Sequence, residues 1–115
     1  MKLDFTDTKI YIRPGATDLR KGVTGLLYII RDQMKCKPLT PSVFVFCNRS
    51  CTLLKMVWWD RTGFFTAQKR LEEEKWPWPK DTGEAMELNQ EEVSMLLRGI
   101  DFWKAHKDLS CTDID

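Results

Sequence analysis

The chain has 115 residues, of which 43% are apolar and 30% are charged, a composition that supports one domain with one hydrophobic core. Its net charge is only +1, which argues against a protein that coats DNA through basic composition alone. The charge is nevertheless divided, because residues 1–71 hold 13 Lys and Arg against 5 acids and residues 72–115 hold 5 against 12. Such an asymmetry is a reason to look for a nucleic-acid surface on the basic half.

Apolar stretches such as residues 43–47 are too short to cross a bilayer, and the first residues lack the apolar segment of a signal peptide. We therefore expect a cytoplasmic protein with no membrane partner, in a compartment where thiols stay reduced. The alternative to free thiols is a zinc site, whose candidate ligands are Cys36, Cys47, Cys51, His106 and Cys111. Structural zinc normally uses two close ligand pairs, so we interpret the cysteines as free thiols and expect no metal and no cofactor.

The predicted elements begin with a short strand at residues 9–13, which is rich in β-branched and aromatic residues. A helix is predicted over residues 18–34, where apolar side chains recur with the spacing of one buried helix face. Thr17 is its predicted N-cap. Arg20 and Lys21 would be unfavourable beside the positive end of that helix unless they serve another purpose.

Three strands are predicted next, at residues 43–47, 52–59 and 64–71, each separated by a short polar turn. A turn at residues 60–63 fixes the register of the last two strands. The pairs expected on one face are Trp59 with Phe64, Val57 with Thr66, Lys55 with Gln68, and Leu53 with Arg70. We expect that face to be partly wet and basic and the opposite face to belong to the core.

Residues 76–79 read Trp-Pro-Trp-Pro and favour extended backbone, because each tryptophan precedes a proline. Asn89 and Glu92 form a capping box that starts a second helix. The elements together predict the α+β class, with a small, mainly antiparallel β-sheet (a meander) packed by one long helix and a shorter C-terminal helix. Residues 1–106 form the expected single domain, and residues 107–115 an expected polar, frayed tail.

A metal-dependent nuclease would need clustered carboxylates, and Asp18, Asp60 and Glu72 are the candidates. Each also has a structural explanation, at a helix start, in a turn and in a solvated charge run. The sequence has neither a nucleophile elbow nor a phosphate-binding glycine loop. We therefore predict that the protein is not an enzyme and keep the nuclease as an alternative.

Basic and aromatic side chains, concentrated before residue 72, are the remaining candidates for function. The predicted contacts to DNA phosphates are Arg20, Lys21, Arg49, Lys55 and Arg70. The predicted contacts to a protein partner are Trp59, Trp76 and Trp78. The alternatives are ordinary solvated cations and tryptophans that pack on their own sheet.

Five motifs in order resemble one family over nearly the whole domain, from about Tyr11 to Trp103. They are Thr17-Asp18-Leu19-Arg20-Lys21-Gly22; Phe44-Val45-Phe46 with Asn48-Arg49; Leu54-Lys55 with Trp58-Trp59-Asp60 and Gly63-Phe64; Lys69-Arg70-Leu71-Glu72; and Trp78-Pro79. The chain resembles the small accessory protein encoded by the second reading frame of the insertion-sequence-66 family of bacterial mobile elements.

This resemblance implies a non-catalytic accessory protein for DNA transposition, which assists a separate transposase that carries the catalytic acids. Its implied partner is that transposase, and a second accessory subunit of the element is a further candidate. DNA is a candidate partner from the charge and position of the basic residues. The protein is expected to contact DNA, the transposase or both. The alternative is a protein-interaction module that docks on the transposase without touching DNA. The oligomeric state is left open.

Overall fold

The structure is a computed structural model and describes residues 8–80 and 85–98. The strands in this part of the chain are β1 (Lys9–Ile12), β2 (Ser42–Cys47), β3 (Leu53–Asp60), β4 (Gly63–Arg70) and β5 (Met86–Leu88). The helices are α1 (Val23–Tyr28), which continues into a π-helical turn (Ile29–Gln33), and α2 (Gln90–Leu97). The ends of β1 to β4 lie within one residue of the prediction. β5 was not predicted, because three residues are too few to show an alternating pattern.

The strands form one mixed sheet in the order β4-β3-β2-β1-β5. β2, β3 and β4 form the predicted antiparallel meander, and β5 lies antiparallel to β1. β1 and β2 are parallel, since the chain crosses over one face of the sheet through α1 before it enters β2. The α+β class is confirmed, but the sheet is mixed rather than a simple meander.

The predicted register of the β3–β4 hairpin is confirmed. Trp59 is opposite Phe64 and Lys55 is opposite Gln68, and Asp60 and Gly63 form the last pair before a two-residue turn. Val57 is fully buried under the first helix, whereas Gln68 is exposed. The face that was predicted to be partly wet is therefore buried at Val57 on β3 and exposed at Gln68 on β4.

The first helix is shorter than predicted and begins five residues later. Gly22 is the N-cap of α1, and Thr17 instead donates its backbone N–H to the carbonyl oxygen of Cys47 at 2.8 Å. This contact joins residue 17 to the end of β2, and residues 18–21 then form a turn, closed by a bond from the N–H of Lys21 to the carbonyl oxygen of Asp18 at 3.4 Å, before α1 begins. After Tyr28 the helix widens into the π-helical turn, where the N–H of Met34 bonds the carbonyl of Ile29 at 2.9 Å. The prediction of one long helix with Thr17 as its N-cap is wrong.

Hydrophobic clusters cover both faces of the sheet. On one face, α1 and the π-helical turn pack against the strands through Leu26, Ile29, Ile30, Met34, Phe44, Phe46 and Val57. On the other face, α2 and the segment around Trp76 cover a larger cluster that includes Ile10, Ile12, Val43, Val45, Leu54, Met56, Leu88, Val93 and Leu96. We call these the α1 face and the α2 face. β2 is buried at every residue because it is the central strand between both layers.

The capping box that starts α2 is confirmed. The side chain of Asn89 accepts a hydrogen bond from the backbone N–H of Glu92 at 2.8 Å, and Glu92 accepts one from the N–H of Asn89 at 3.0 Å. Lys69 on β4 donates to the carbonyl oxygen of Leu97 at 3.2 Å, which ties the end of α2 to the sheet. The predicted tail at 107–115 and the candidate ligands His106 and Cys111 lie outside the described residues.

Candidate functional site

A cleft of about 820 Å³ opens at one end of the sheet, and we call it the terminal cleft. It is lined by residues 16–20 after β1, residues 48–50 between β2 and β3, Leu53 on β3 and Gln68 on β4. Its cationic side chains are Arg20 and Arg49.

Asn48 holds the turn that presents Arg49. Its side-chain oxygen accepts hydrogen bonds from the backbone N–H groups of Thr52 at 2.9 Å and Leu53 at 3.1 Å. Cys51 completes the turn with a backbone φ of 59°, in the left-handed region. Arg49 and Ser50 are therefore held exposed at the tip of a turn that its own asparagine stabilises.

The loop on the other side of the cleft is fixed from two directions. Arg13 donates to the hydroxyl oxygen of Thr17 at 3.0 Å and also to the side-chain oxygen of Gln33 at the end of the π-helical turn. The indole N–H of Trp78 donates to the carbonyl oxygens of Arg13 and Gly15, each at 3.0 Å. The cleft wall thus has a defined shape before any ligand arrives.

Arg20 and Asp18 form a two-point ion pair in the cleft. Nε of Arg20 lies 3.0 Å from Oδ1 of Asp18, the second guanidinium contact to Oδ2 is also 3.0 Å, and the backbone N–H of Arg20 bonds Oδ1 at 3.0 Å. The hydrogen bonds from Arg20, with the charge of Lys21 nearby, lower the pKa of Asp18 to about 2. The carboxylate therefore stays ionised, and its role is to orient Arg20 rather than to start a helix.

The five cations predicted to bind DNA do not all lie in the cleft. Arg20 and Arg49 line it, whereas Lys55 and Arg70 lie directly opposite the lining residues Gln68 and Leu53 in the β3–β4 pair. The side chain of Lys21 lies over Gly25 in α1, so close that a Cβ added to Gly25 would be 2.9 Å from the Lys21 Cβ. The structure thus groups four cations around the cleft and directs the fifth along the helix.

Carboxylates neutralise part of this charge. Arg70 lies 3.3 Å from Glu72, and Arg20 is paired with Asp18. Within residues 8–80 and 85–98, no ion pair involves Lys21, Arg49 or Lys55. The acids at the start of α2 belong to the opposite layer, because that helix packs on the α2 face. Of the acids of the C-terminal half that the structure describes, Glu72 is the one that forms an ion pair with a cation around the cleft.

The three tryptophans occupy different environments. Trp59 is half-buried, with its ring centroid 4.9 Å from that of Phe64. Trp76 is 2% exposed in the core of the α2 face, with Lys69 Nζ 5.6 Å from its ring centroid. Trp78 is half-buried and bonded to the loop near the cleft. A partner-binding role stays a prediction for all three, and for Trp76 it would require the segment to leave the core.

The carboxylates considered for a nuclease do not meet. Asp60 ends β3 at the hairpin turn, whereas Glu72 follows β4 at the opposite end of the same hairpin. Among the residues that the structure describes, no group of three His, Cys, Asp or Glu side chains could hold a metal ion.

Burial, with the neighbouring Cys51 thiol, raises the pKa of the Cys47 thiol above its ordinary value.

Arg13 and Asn48 position the cleft, and sequence reasoning assigned a role to neither of them. An asparagine just before a turn between two apolar strands is a recognisable signal, since its side chain often bonds the backbone a few residues later. The contacts of Arg13 to Thr17 and Gln33 carry no such local signal, because one of its partners lies 20 residues away.

The fold and the cleft define a small α+β protein that presents cationic side chains at one end of a mixed sheet. Neither helix in the described ranges is long and apolar enough to cross a membrane. The chain belongs to the family of IS66 Orf2-like proteins, whose model matches residues 8–107. The resemblance to the insertion-sequence-66 accessory protein is thereby confirmed.

Two relatives from Sinorhizobium fredii extend this comparison. The uncharacterized protein y4hO is 35% identical over 96 residues, which cover 84% of each chain. The uncharacterized protein y4jC is 27% identical over 99 residues, which cover 86% of this chain and 85% of that one. No solved structure matches the chain. Membership of the IS66 family associates the protein with the transposition of an insertion sequence in an accessory role.

Proposed function

We propose that this protein is a non-catalytic accessory factor that binds the DNA backbone through the terminal cleft while a separate transposase performs the chemistry. The observation that carries the proposal is the placement of Arg49 and Lys55. Both lie at or beside the cleft, and neither has an ion-pair partner in the described part of the chain. Unpaired cations beside a pre-shaped cleft favour an anionic ligand.

The arrangement fits phosphate groups better than a single small anion. The cations come from different segments and surround an open cleft of about 820 Å³, so each can meet a different phosphate of an extended backbone. Arg20 adds a guanidinium whose direction is fixed by Asp18. Because the turn at Asn48 and the loop at Arg13 are already bonded, DNA binding would cost little ordering of the backbone.

The experiment is a salt titration of binding to a duplex about 20 base pairs long from the end of the element. The test variant is Arg49→Gln with Lys55→Gln, which removes two charges without leaving an unpaired acid. Binding should weaken steeply with salt. The slope of log K against log salt should fall by up to about 1.8 in this variant, or about 0.9 for each phosphate that the protein no longer neutralises.

The matched control is Lys75→Gln with Arg98→Gln, which removes the same charge from two exposed positions, one beside Trp76 and one just after α2. Its salt slope should equal that of the unaltered protein. A test variant that binds the duplex with an unaltered slope would remove the terminal cleft from the DNA interface.

Docking on the transposase is a second candidate function, favoured by the edge strand β4. In the described sheet β4 has a strand neighbour on one side only, and Phe65 on this strand is 53% exposed. Phe65 stacks on Trp58 with ring centroids 5.6 Å apart, which holds its ring in place. An open strand edge beside a fixed aromatic ring suits a protein partner that adds a strand.

This second candidate is tested by co-purification of the transposase after nuclease treatment has removed DNA. Phe65→Lys should abolish co-purification, because it places a charge in the expected apolar contact. Leu39→Lys is the matched control, since Leu39 is also a large exposed apolar residue, at 61%, but lies in a loop before β2. If a folded Phe65→Lys variant still co-purifies with the transposase, the β4 edge is not the transposase-binding surface.

A further inference from the structure

A second basic cleft, of about 500 Å³, lies at the opposite end of the sheet, and we call it the lysine cleft. Lys9, Lys35 and Lys37 line it and are all exposed. Tyr11 and Phe44 also line it, with stacked rings whose centroids are 5.8 Å apart and whose planes differ by 16°. No Asp or Glu is among its lining residues. Three cations thus line a cleft whose wall includes a stacked aromatic pair.

The exposed side of the first helix connects the two clefts. Its members recur at helical spacing and are all exposed: Lys21, Thr24, Tyr28, Arg31 and Lys35. We call them the helix row. Lys21 at one end follows Arg20 of the terminal cleft, and Lys35 at the other end lines the lysine cleft. Tyr28, in the middle of the row, is 56% exposed.

We propose that the lysine cleft is a second site for DNA phosphates and that one duplex lies along the helix row with its backbone in both clefts. This inference rests on the proposed function, because it extends the DNA surface from the terminal cleft across the α1 face. It assigns a binding role to Lys9, Lys35 and Lys37, which neither the motifs of the sequence nor the terminal cleft involve.

The separation of the clefts fits a duplex. Ser42 at the start of β2 lines the lysine cleft, and Asn48 just after β2 lines the terminal cleft. Six residue steps along a strand span about 20 Å, at roughly 3.3 Å per residue. One strand of B-DNA carries a phosphate every 3.4 Å or so along the axis, and therefore about six phosphates over this distance.

The charge balance along this face also favours a polyanion. From Asp18 to Asp60 the sequence holds seven Lys and Arg residues and three acids, of which Asp18 is paired with Arg20 in the terminal cleft and Asp60 lies at the hairpin turn. Asp32 is half-buried and lies 3.8 Å from Arg31, so it offsets the charge in the middle of the helix row. Glu87 is opposite Tyr11 in the β1–β5 pair, next to the lysine cleft but not among its lining residues. The cations at both ends remain in excess.

The test adds a third double variant to the salt titration with the same duplex. Lys35→Gln with Lys37→Gln should lower the slope of log K against log salt by up to about 1.8, as expected when two phosphates are no longer neutralised. The control remains Lys75→Gln with Arg98→Gln. Circular dichroism and thermal unfolding of each variant check that the fold is retained.

The outcomes separate this inference from the proposed function. If the unaltered protein does not bind the duplex at low salt, both fail. If the Arg49–Lys55 variant lowers the slope and the Lys35–Lys37 variant matches the control, the second site is overturned and the terminal cleft stands. A third outcome is that the Lys35–Lys37 variant binds the duplex with an unaltered slope of log K against log salt but no longer binds the transposase. The lysine cleft then binds an acidic protein surface instead, which also overturns the inference.

Discussion

Trp78 donates its indole N–H to the carbonyl oxygen of Gly15, 63 residues earlier in the chain, at 3.0 Å. The backbone N–H of Gly15 in turn donates to the carbonyl oxygen of Pro79 at 2.9 Å. The Trp-Pro segment is therefore a support for the loop that leads into the terminal cleft. No local pattern indicates this role, because the partner carbonyls belong to a distant segment.

Replacing Trp78 with Phe should lower the free energy of unfolding by about 1–2 kcal/mol, because an aromatic ring is kept but two backbone carbonyls lose their donor. Trp76→Ala should cost more, about 3–5 kcal/mol, since it empties a site in the core where the side chain is 2% exposed. Urea unfolding measures both values. A Trp78→Phe variant as stable as the unaltered protein would show that water replaces the indole donor.

The carboxyl group of Asp18 should titrate near pH 2. Its pKa lies below the ordinary value of 3.8 because Arg20 donates hydrogen bonds to the ionised form. A pKa that folding depresses stabilises the folded state above about pH 3.8, and this contribution is lost as the pH falls through about 2. NMR titration of the side-chain carboxyl carbon measures the midpoint.

Arg20→Ala should move the Asp18 midpoint up toward 3.8. Arg31→Ala is the matched control, because Arg31 is an exposed arginine that pairs with a different carboxylate, Asp32. It should leave the Asp18 midpoint in place. A midpoint near 3.8 in the unaltered protein would mean that the pair does not persist in solution.

Asn48→Ala should destabilise the protein by about 1–2 kcal/mol, because the backbone N–H groups of Thr52 and Leu53 lose their common acceptor. Ser50→Ala is the control in the same turn, since the Ser50 hydroxyl makes an exposed contact to the Thr52 hydroxyl at 2.9 Å. Its effect should stay within about 0.5 kcal/mol. Equal effects of the two substitutions in chemical denaturation would contradict the role of Asn48.

Lys35→Gly should raise the free energy of unfolding by about 1 kcal/mol. Lys35 has a backbone φ of 58°, just after the π-helical turn, at a position where glycine has no steric penalty. Lys35→Ala removes the same charge but keeps a Cβ, so it should give no such gain. Thermal unfolding distinguishes the two, and equal stabilities would show that the left-handed backbone is not strained.

The β3–β4 hairpin could be predicted from sequence. Side chains point alternately to the two faces of the sheet along both strands, and this alternation together with the turn between them fixes which residues are paired. The pairs Trp59–Phe64 and Lys55–Gln68 follow from that local pattern. The start of the first helix did not follow from its local pattern, because residues 18–21 form a turn in which Asp18 binds Arg20 and the helix begins only after Gly22. The cleft could not be predicted as a unit, since residues 16–20 meet residues 48–50 through the parallel pairing of β1 with β2, which no local pattern indicates.

The order of the sheet has a consequence for how the chain folds during synthesis. β1 lies between β2 and β5, so one edge of this early strand waits for residues 86–88, near the end of the described chain. Until α2 has also emerged from the ribosome, the α2 face lacks Leu88, Val93 and Leu96. A nascent chain that stops near residue 80 would expose apolar surface and a strand edge, so folding is expected to complete only after translation has passed α2.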